Sequence, residues 1–138
     1  MDLRGRYLLA TVAALTSLPL GPTIASYGQS CAPAWLNQTI EQLQNNQNRP
    51  DAQKALTQCG EASVKLLANA LGEPNPTIRL YATQTLGQIG WEAKLGVPAL
   101  VSASQEDSDG EIRSKAGLAL IAITQSGQTQ SEQWQGWQ

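Results

Sequence analysis

Histidine and phenylalanine are both absent from the 138 residues. Without an imidazole, the chain can form neither a Ser-His-Asp triad nor a Cys-His pair, and it has no histidine for a zinc site or a pH switch. Charged residues are few, at 14%, and the formal net charge is -2. This balance provides no basic surface that could neutralise nucleic-acid phosphates. The composition therefore excludes histidine-dependent chemistry, and we expect no nucleic-acid partner.

Residues 1–26 have the features of a secretory signal peptide. Arg4 and Arg6 precede an apolar run at residues 7–20, and small residues follow near Ala25. The run is shorter than the ~20 residues that span a bilayer, so we expect cleavage and no membrane span in the mature protein. The sequence thus predicts export to the periplasm, the thylakoid lumen or the extracellular space.

Cysteine is scarce as well, because Cys31 and Cys59 are the only two. Their spacing is not Cys-x-x-Cys, so the redox motif of the thioredoxin type is missing, and we expect no metal site on two thiols without histidine. In an exported chain, two cysteines are expected to form one disulfide. Acylation of Cys31 is the disfavoured alternative, since residues 28–30 lack the bulky aliphatic residue of a lipoprotein site.

An internal repeat occupies residues 31–127. The pattern Ile-Arg-x-x-Ala-x-x-x-Leu-x-x-Ile at 78–89 recurs at 112–123, a shift of 34, and part of it is visible at 52–59. These apolar positions lie on one face of an α-helix, and a second apolar run precedes each copy, so each unit is predicted to be a helical hairpin. We predict units at about 31–60, 61–90 and 91–127, with helices at about 33–45, 50–59, 62–71, 77–89, 96–104 and 110–124. Gly60, Gly90 and Gly127 follow the second helices as expected caps.

Four stretches resemble HEAT repeats, in particular the short repeats also found in phycobilin lyases: NPTIRLYA at 75–82, LGQIG at 86–90, WEAKLGVPALV at 91–101 and DGEIRSKAGLAL at 109–120. The resemblance implies an all-α fold, a short right-handed α-solenoid of about three helical hairpins. It also implies a non-catalytic protein-interaction or scaffold module without a cofactor, because most HEAT-like arrays bind proteins. A protein that attaches or detaches bilins is the alternative.

The first unit departs from the repeat, because Pro50 directly follows Arg49 and delays the start of its second helix. Terminal units of solenoids are expected to be atypical. Cys31 lies just before the first helix and Cys59 ends the second. Antiparallel helices bring these two ends together, so we predict a Cys31–Cys59 disulfide that reinforces the first unit.

Arg79 and Arg113 occupy the same position in successive units. We expect each to make a structural ion pair or hydrogen bond to a neighbouring loop, with Asp107 and Asp109 as candidate partners. The alternative is an anion site that the two arginines share.

The second helices also have a face that a rotation of 100° per residue directs away from the core. It comprises Leu80, Thr83, Gln84 and Gly87 in one unit, and Ser114, Gly117, Leu118 and Ile121 in the next. Second helices usually line the concave surface that holds partners. We therefore select Leu80, Gln84, Leu118 and Ile121 as candidate partner-binding residues.

The last stretch, residues 124–138, has no aliphatic side chain and is rich in glutamine. Such a segment has little to bury, so residues 128–138 are predicted to be a polar tail that is disordered or caps the array. Trp134 and Trp137 are its only large apolar groups. They either cover the last unit or anchor a partner, and we include them among the candidate binding residues.

Overall fold

The computed structural model describes the backbone of residues 31–135 and the side chains of residues 31–129; the predicted signal peptide at 1–26 and Trp137 lie outside this range. Six α-helices form this part of the chain: α1 Pro33–Glu41, α2 Arg49–Cys59, α3 Glu61–Ala70, α4 Pro76–Ile89, α5 Val97–Glu106 and α6 Gly110–Gln135. Short 3₁₀ segments, Gln42–Gln44 and Gly90–Gly96, follow α1 and α4. No strand occurs among the described residues.

The helices pack as three hairpins, α1 with α2, α3 with α4 and α5 with α6. Helix α4 contacts both α2 and α6, so the second helices of successive hairpins lie side by side. One continuous core runs through the hairpins, and its largest fully buried side chains include Leu36, Leu43, Leu56, Leu67, Leu86, Leu100, Ile112 and Ile123. This arrangement confirms the predicted all-α solenoid of helical hairpins.

Local sequence signals account for several helix ends. The Asn75 side chain accepts a hydrogen bond from the Thr77 N–H at 2.9 Å, and Pro76 occupies the first turn of α4. Gly60 and Gly90, with φ of 52° and 74°, lie in the left-handed region directly after α2 and α4, as the sequence predicts.

The end of α6 differs from the prediction. Helix α6 continues through Gln135 instead of ending near 124, so Gly127 is a helix-interior residue and not a cap. Around Ser126 and Gly127, α6 packs on the Gly90–Gly96 segment, a contact that the local sequence does not predict. The backbone is helical up to Gln135, and the assignment of residues 128–138 to a tail that is disordered or caps the array stays a prediction. The side chain of Trp134 lies outside the described residues.

Gly127 is required by a close contact with the indole of Trp91. A Cβ added at this position would lie 2.7 Å from Cζ3 of Trp91. Ordinarily, replacing glycine by alanine inside a helix stabilises it by up to about 1 kcal/mol. At residue 127 the overlap displaces the indole, so we expect Gly127→Ala to destabilise the protein by about 1–2 kcal/mol in urea unfolding.

A matched control for this prediction lies in the same helix. Nothing is within 4 Å of a Cβ added at Gly117, so Gly117→Ala should stabilise the protein by roughly 0.5–1 kcal/mol. Equal effects of the two substitutions would contradict a specific role for the contact between Gly127 and Trp91.

Candidate functional site

The face of α4 that the sequence directs away from the core is mostly covered. Thr83 is fully buried and its hydroxyl donates to the carbonyl of Arg79 at 2.8 Å. A Cβ added at Gly87 would lie 3.2 Å from the Cα of Ala119, so α6 lies directly against α4 there. Leu80 and Gln84 are only partly exposed. The prediction that Thr83 and Gly87 face outward is wrong. In a stacked array, the second helix of a middle unit is covered by the second helix of the next unit, and here α6 covers α4.

The equivalent face of α6 is open. Leu118 is 57% exposed and Ile121 is 51% exposed, and a Cβ added at Gly117 would meet no other part of the protein within 4 Å. Ser114 is exposed on the same side. We call the surface of Ser114, Gly117, Leu118 and Ile121 the α6 face. No helix of the described chain packs on the α6 face. The equivalent face of α4, by contrast, is covered by α6.

Further apolar groups are exposed near the third hairpin. Trp91 and Leu95 lie in the 3₁₀ segment Gly90–Gly96, and the ammonium of Lys94 is 5.2 Å from the centre of the Trp91 ring. Val101 of α5 is exposed as well. Helical periodicity could not find Trp91 and Leu95, since the segment is not α-helical. The only sequence signal is a pair of large apolar residues between two glycines.

The arginine of each second helix holds the loop that precedes that helix. Arg49 Nε donates to the carbonyl of Leu43 at 2.7 Å, and Arg79 Nη1 donates to that of Glu73 at 2.9 Å. In the same way, Arg113 Nη1 donates to the carbonyl of Asp107 at 2.7 Å. Each acceptor lies six residues before its arginine, so one side chain closes the loop in every unit.

Arg79 also joins the second hairpin to the third. Its Nε and Nη2 lie 3.0 and 3.3 Å from the two carboxylate oxygens of Asp107, in a bidentate ion pair whose side chains are 13% and 6% exposed. Another hydrogen bond runs from Arg79 Nη1 to the carbonyl of Pro74 at 3.0 Å. Because these contacts occupy its guanidinium, Arg79 is not available to an external anion. An anion site formed by Arg79 and Arg113 together would therefore lack one of its two cations.

The surroundings of Asp107 favour its charged form. Partial burial raises the pKa of the carboxyl, but the hydrogen bond from Arg79 and the one from the Asp109 N–H lower it, as do the charges of Arg79 and Arg113. The net result is a pKa below the ordinary value of 3.8. Asp109 itself caps α6 by accepting from the N–H of Glu111 at 2.8 Å.

The first and second hairpins are joined differently. The guanidinium of Arg49 stacks on the ring of Tyr81, 3.8 Å from its centre. Sequence reasoning missed this contact, although Arg49 aligns with Arg79. The position of Tyr81 on the side of α4 that meets α2 becomes apparent only when the hairpins are stacked.

A groove of about 670 Å³ lies between α1, α3 and the start of α4. Its floor includes Ile40 and Ile78, and its rim carries amide and carboxylate side chains such as Asn69 and Glu73. Across the groove, Asn75 Nδ2 donates to Gln44 Oε1 at 3.0 Å. The described side chains form no group of three or more metal-ligating residues, and no described helix is long and apolar enough to cross a membrane.

Stacked helical hairpins with a loop-closing arginine in each second helix define an α-solenoid protein. The model of the HEAT repeats family matches residues 33–121, which is more than half of the chain. The chain belongs to the HEAT repeat family, whose members are typically protein-interaction or scaffold modules. Comparison with curated proteins and with solved structures gives no match.

Proposed function

We propose that this protein is exported and acts as a non-catalytic interaction module that binds a protein partner through the α6 face. The observation that carries the proposal is the exposure of Leu118 and Ile121, at 57% and 51%. One repeat earlier, the equivalent positions are Gln84 and Gly87, and Gly87 lies in the contact between α4 and α6. The α6 face thus occupies the position that, one repeat earlier, the fold uses for helix packing, and it is exposed.

Single exposed aliphatic residues are common on soluble proteins and have no meaning by themselves. Leu118 and Ile121, however, are three residues apart and adjacent on one helix, with open space at Gly117 beside them. A partner helix placed there would bury both side chains. Full burial of one exposed side chain of this kind contributes roughly 1.5–3 kcal/mol, and because about half of each is exposed here, the pair would contribute about that amount in total to binding.

Export is supported by the cysteine pair. The sulfur atoms of Cys31 and Cys59 are at bonding distance, 2.08 Å, and the two Cα atoms are 5.6 Å apart. Disulfides persist in oxidising compartments and are rare in the cytosol. The bilin-lyase alternative rests on the sequence resemblance alone, and we do not propose it.

Site-specific photo-crosslinking in the native host tests the proposal. A benzophenone side chain at position 118 should give discrete adducts, and Ile121→Glu should abolish them because it places a charge in the apolar contact. The control is the same probe at Gln38, an exposed position on α1. An absence of adducts at 118, or the same adducts from both positions, would contradict the proposal.

A further inference from the structure

We propose that the occupant of the α6 face is a second copy of this chain, with the two α6 helices packed antiparallel about a twofold axis at the level of Ala119. This inference rests on the proposed function, because it names the partner of the same surface. Isologous dimers, in which one patch meets its own copy, are the commonest symmetric assemblies of soluble proteins.

Another repeat unit stacked in the register of α4 and α6 does not fit this surface. In that interface, Gly87 presents bare backbone to Ala119, and a Cβ at Gly87 would already lie 3.2 Å from the Cα and Cβ of Ala119. The α6 residue equivalent to Gly87 is Ile121. The side chain of Ile121 projects at the point where a stacked helix would have to come closest. The α6 face therefore differs from the stacking surface of α4 at the position of closest helix contact.

The same departure makes the surface complementary to itself. The empty position on α6 is Gly117, and the projecting side chain is Ile121, one turn later. In an antiparallel pair centred at Ala119, residues at equal distances from the centre oppose each other. Ile121 of each copy therefore fills the space at Gly117 of the other, as a knob fills a hole in close helix packing. Leu118 lies beside the axis, where the second copy shields it from water.

Charges agree with this orientation. Among the described side chains of α6, the exposed charged ones are Glu111 and Arg113 in its first turns, whereas the exposed side chains from Thr124 to Thr129 are uncharged. The antiparallel pairing places Arg113 opposite Gln125 and opposes no like charges among the side chains of α6 that the structure describes. The surface at the other end of the array is polar, with exposed Gln38, Asp51, Lys54 and Gln58 on α1 and α2. A head-to-tail assembly would press Leu118 and Ile121 against that polar surface, so the symmetric arrangement is favoured.

A single helix pair buries less than the ~1,600 Å² of a standard stable interface. We therefore expect a dimer that dissociates in the micromolar range. Sedimentation velocity of the purified protein between roughly 1 and 200 μM should show the weight-average mass rising from monomer to dimer. A constant monomer mass over this range would overturn the inference.

Three variants test the pairing of Gly117 with Ile121. Ile121→Ala leaves the hole empty and Gly117→Ile opposes two projecting side chains, so each should weaken dimerisation at least about tenfold. The double variant G117I/I121A exchanges the projecting and the small residue. It should recover dimerisation to within about threefold of the wild type, because the introduced isoleucine of each copy again faces a small residue. Both positions are solvent-facing, so circular dichroism should show an unchanged helical fold.

If the double variant G117I/I121A does not recover dimerisation, the twofold arrangement is wrong. If either residue had only a structural role within its own chain, the second substitution would not restore dimerisation. The crosslinking experiment separates this inference from the proposed function. Adducts from position 118 that contain only the α6 peptide of a second copy support both. Adducts with a different protein, from a chain that stays monomeric, overturn the dimer and leave the interaction module standing. No adducts at all would contradict both.

Discussion

The free energy of unfolding should fall by about 3.5 kcal/mol when Cys31 and Cys59 are both replaced by alanine. The disulfide closes a loop with a sequence separation of 28 residues, and its loss gives the unfolded chain a larger conformational entropy. For a domain of this size, such a loss corresponds to a drop of roughly 20 °C in the unfolding midpoint. Urea unfolding of the wild type and the double variant would measure it.

The first hairpin makes this effect large because the bond joins the start of α1 to the end of α2 and holds the pair together. Among the described residues, hairpin α1–α2 has a neighbouring hairpin on one side only, namely the second hairpin. Reduction of the wild type provides the control: it should cause a similar loss, whereas the double variant should not respond to the reductant. A loss below about 1 kcal/mol would show that helix packing alone fixes the first hairpin.

Elements that depend on nearby residues were predictable from the sequence. The hairpin pattern follows from apolar positions that recur with helical spacing, and Gly60 and Gly90 end their helices because few other residues accept a positive φ. The course of the chain within each unit is set by such signals over a few turns. The disulfide between Cys31 and Cys59 in the first hairpin could therefore be predicted from the positions of the two cysteines relative to the helices.

Features that depend on contacts between units were not predictable in the same way. Thr83 and Gly87 were assigned to an open surface, yet α6 covers them, because the periodicity of α4 reports only the face toward its own hairpin. The same reasoning correctly placed Leu118 and Ile121 on an exposed surface, because no later helix of the described chain is stacked on them. One helical pattern thus yields a buried surface in one unit and an exposed surface in the next.

The end of α6 illustrates the second limit of sequence reasoning. A stretch rich in glutamine has few apolar side chains that could stabilise a helix by burial. The helix there depends on packing against the Gly90–Gly96 segment. The contact between Gly127 and Trp91 joins residues 36 positions apart in the chain. Nothing in the sequence near either residue indicates this contact, so the sequence predicted that α6 ends near residue 124 and that a tail, disordered or capping the array, follows at 128–138.

Replacement of Arg79 by methionine should lower the free energy of unfolding by about 3 kcal/mol, which is the second large effect that we expect. Methionine has an unbranched side chain that can replace the aliphatic part of arginine. It removes the bidentate ion pair with Asp107 and the hydrogen bonds to the loop carbonyls of Glu73 and Pro74. Asp107 is then left largely buried without its counter-ion, and that uncompensated charge accounts for most of the loss.

Arg113→Met is the matched control, because Arg113 holds the same position in the next unit. Its guanidinium is exposed, forms no ion pair among the described residues, and donates to one loop carbonyl, that of Asp107. We expect a loss of about 1 kcal/mol or less for this variant in the same urea experiment. Similar losses in the two variants would mean that loop closure, and not the ion pair between hairpins, gives the arginine its importance.

The effect of Arg79→Met should also depend on pH. Arg79 helps to hold the pKa of Asp107 below its ordinary value of 3.8, so the folded state binds this proton less readily than the unfolded state does. The ion pair therefore contributes its full stability above about pH 4, and the contribution is lost as the pH falls through the folded-state pKa. The difference in unfolding free energy between wild type and variant should accordingly be constant near neutral pH and shrink on acidification below about pH 4. A difference that stays constant down to roughly pH 2 would show that Asp107 is not the group through which Arg79 stabilises the fold.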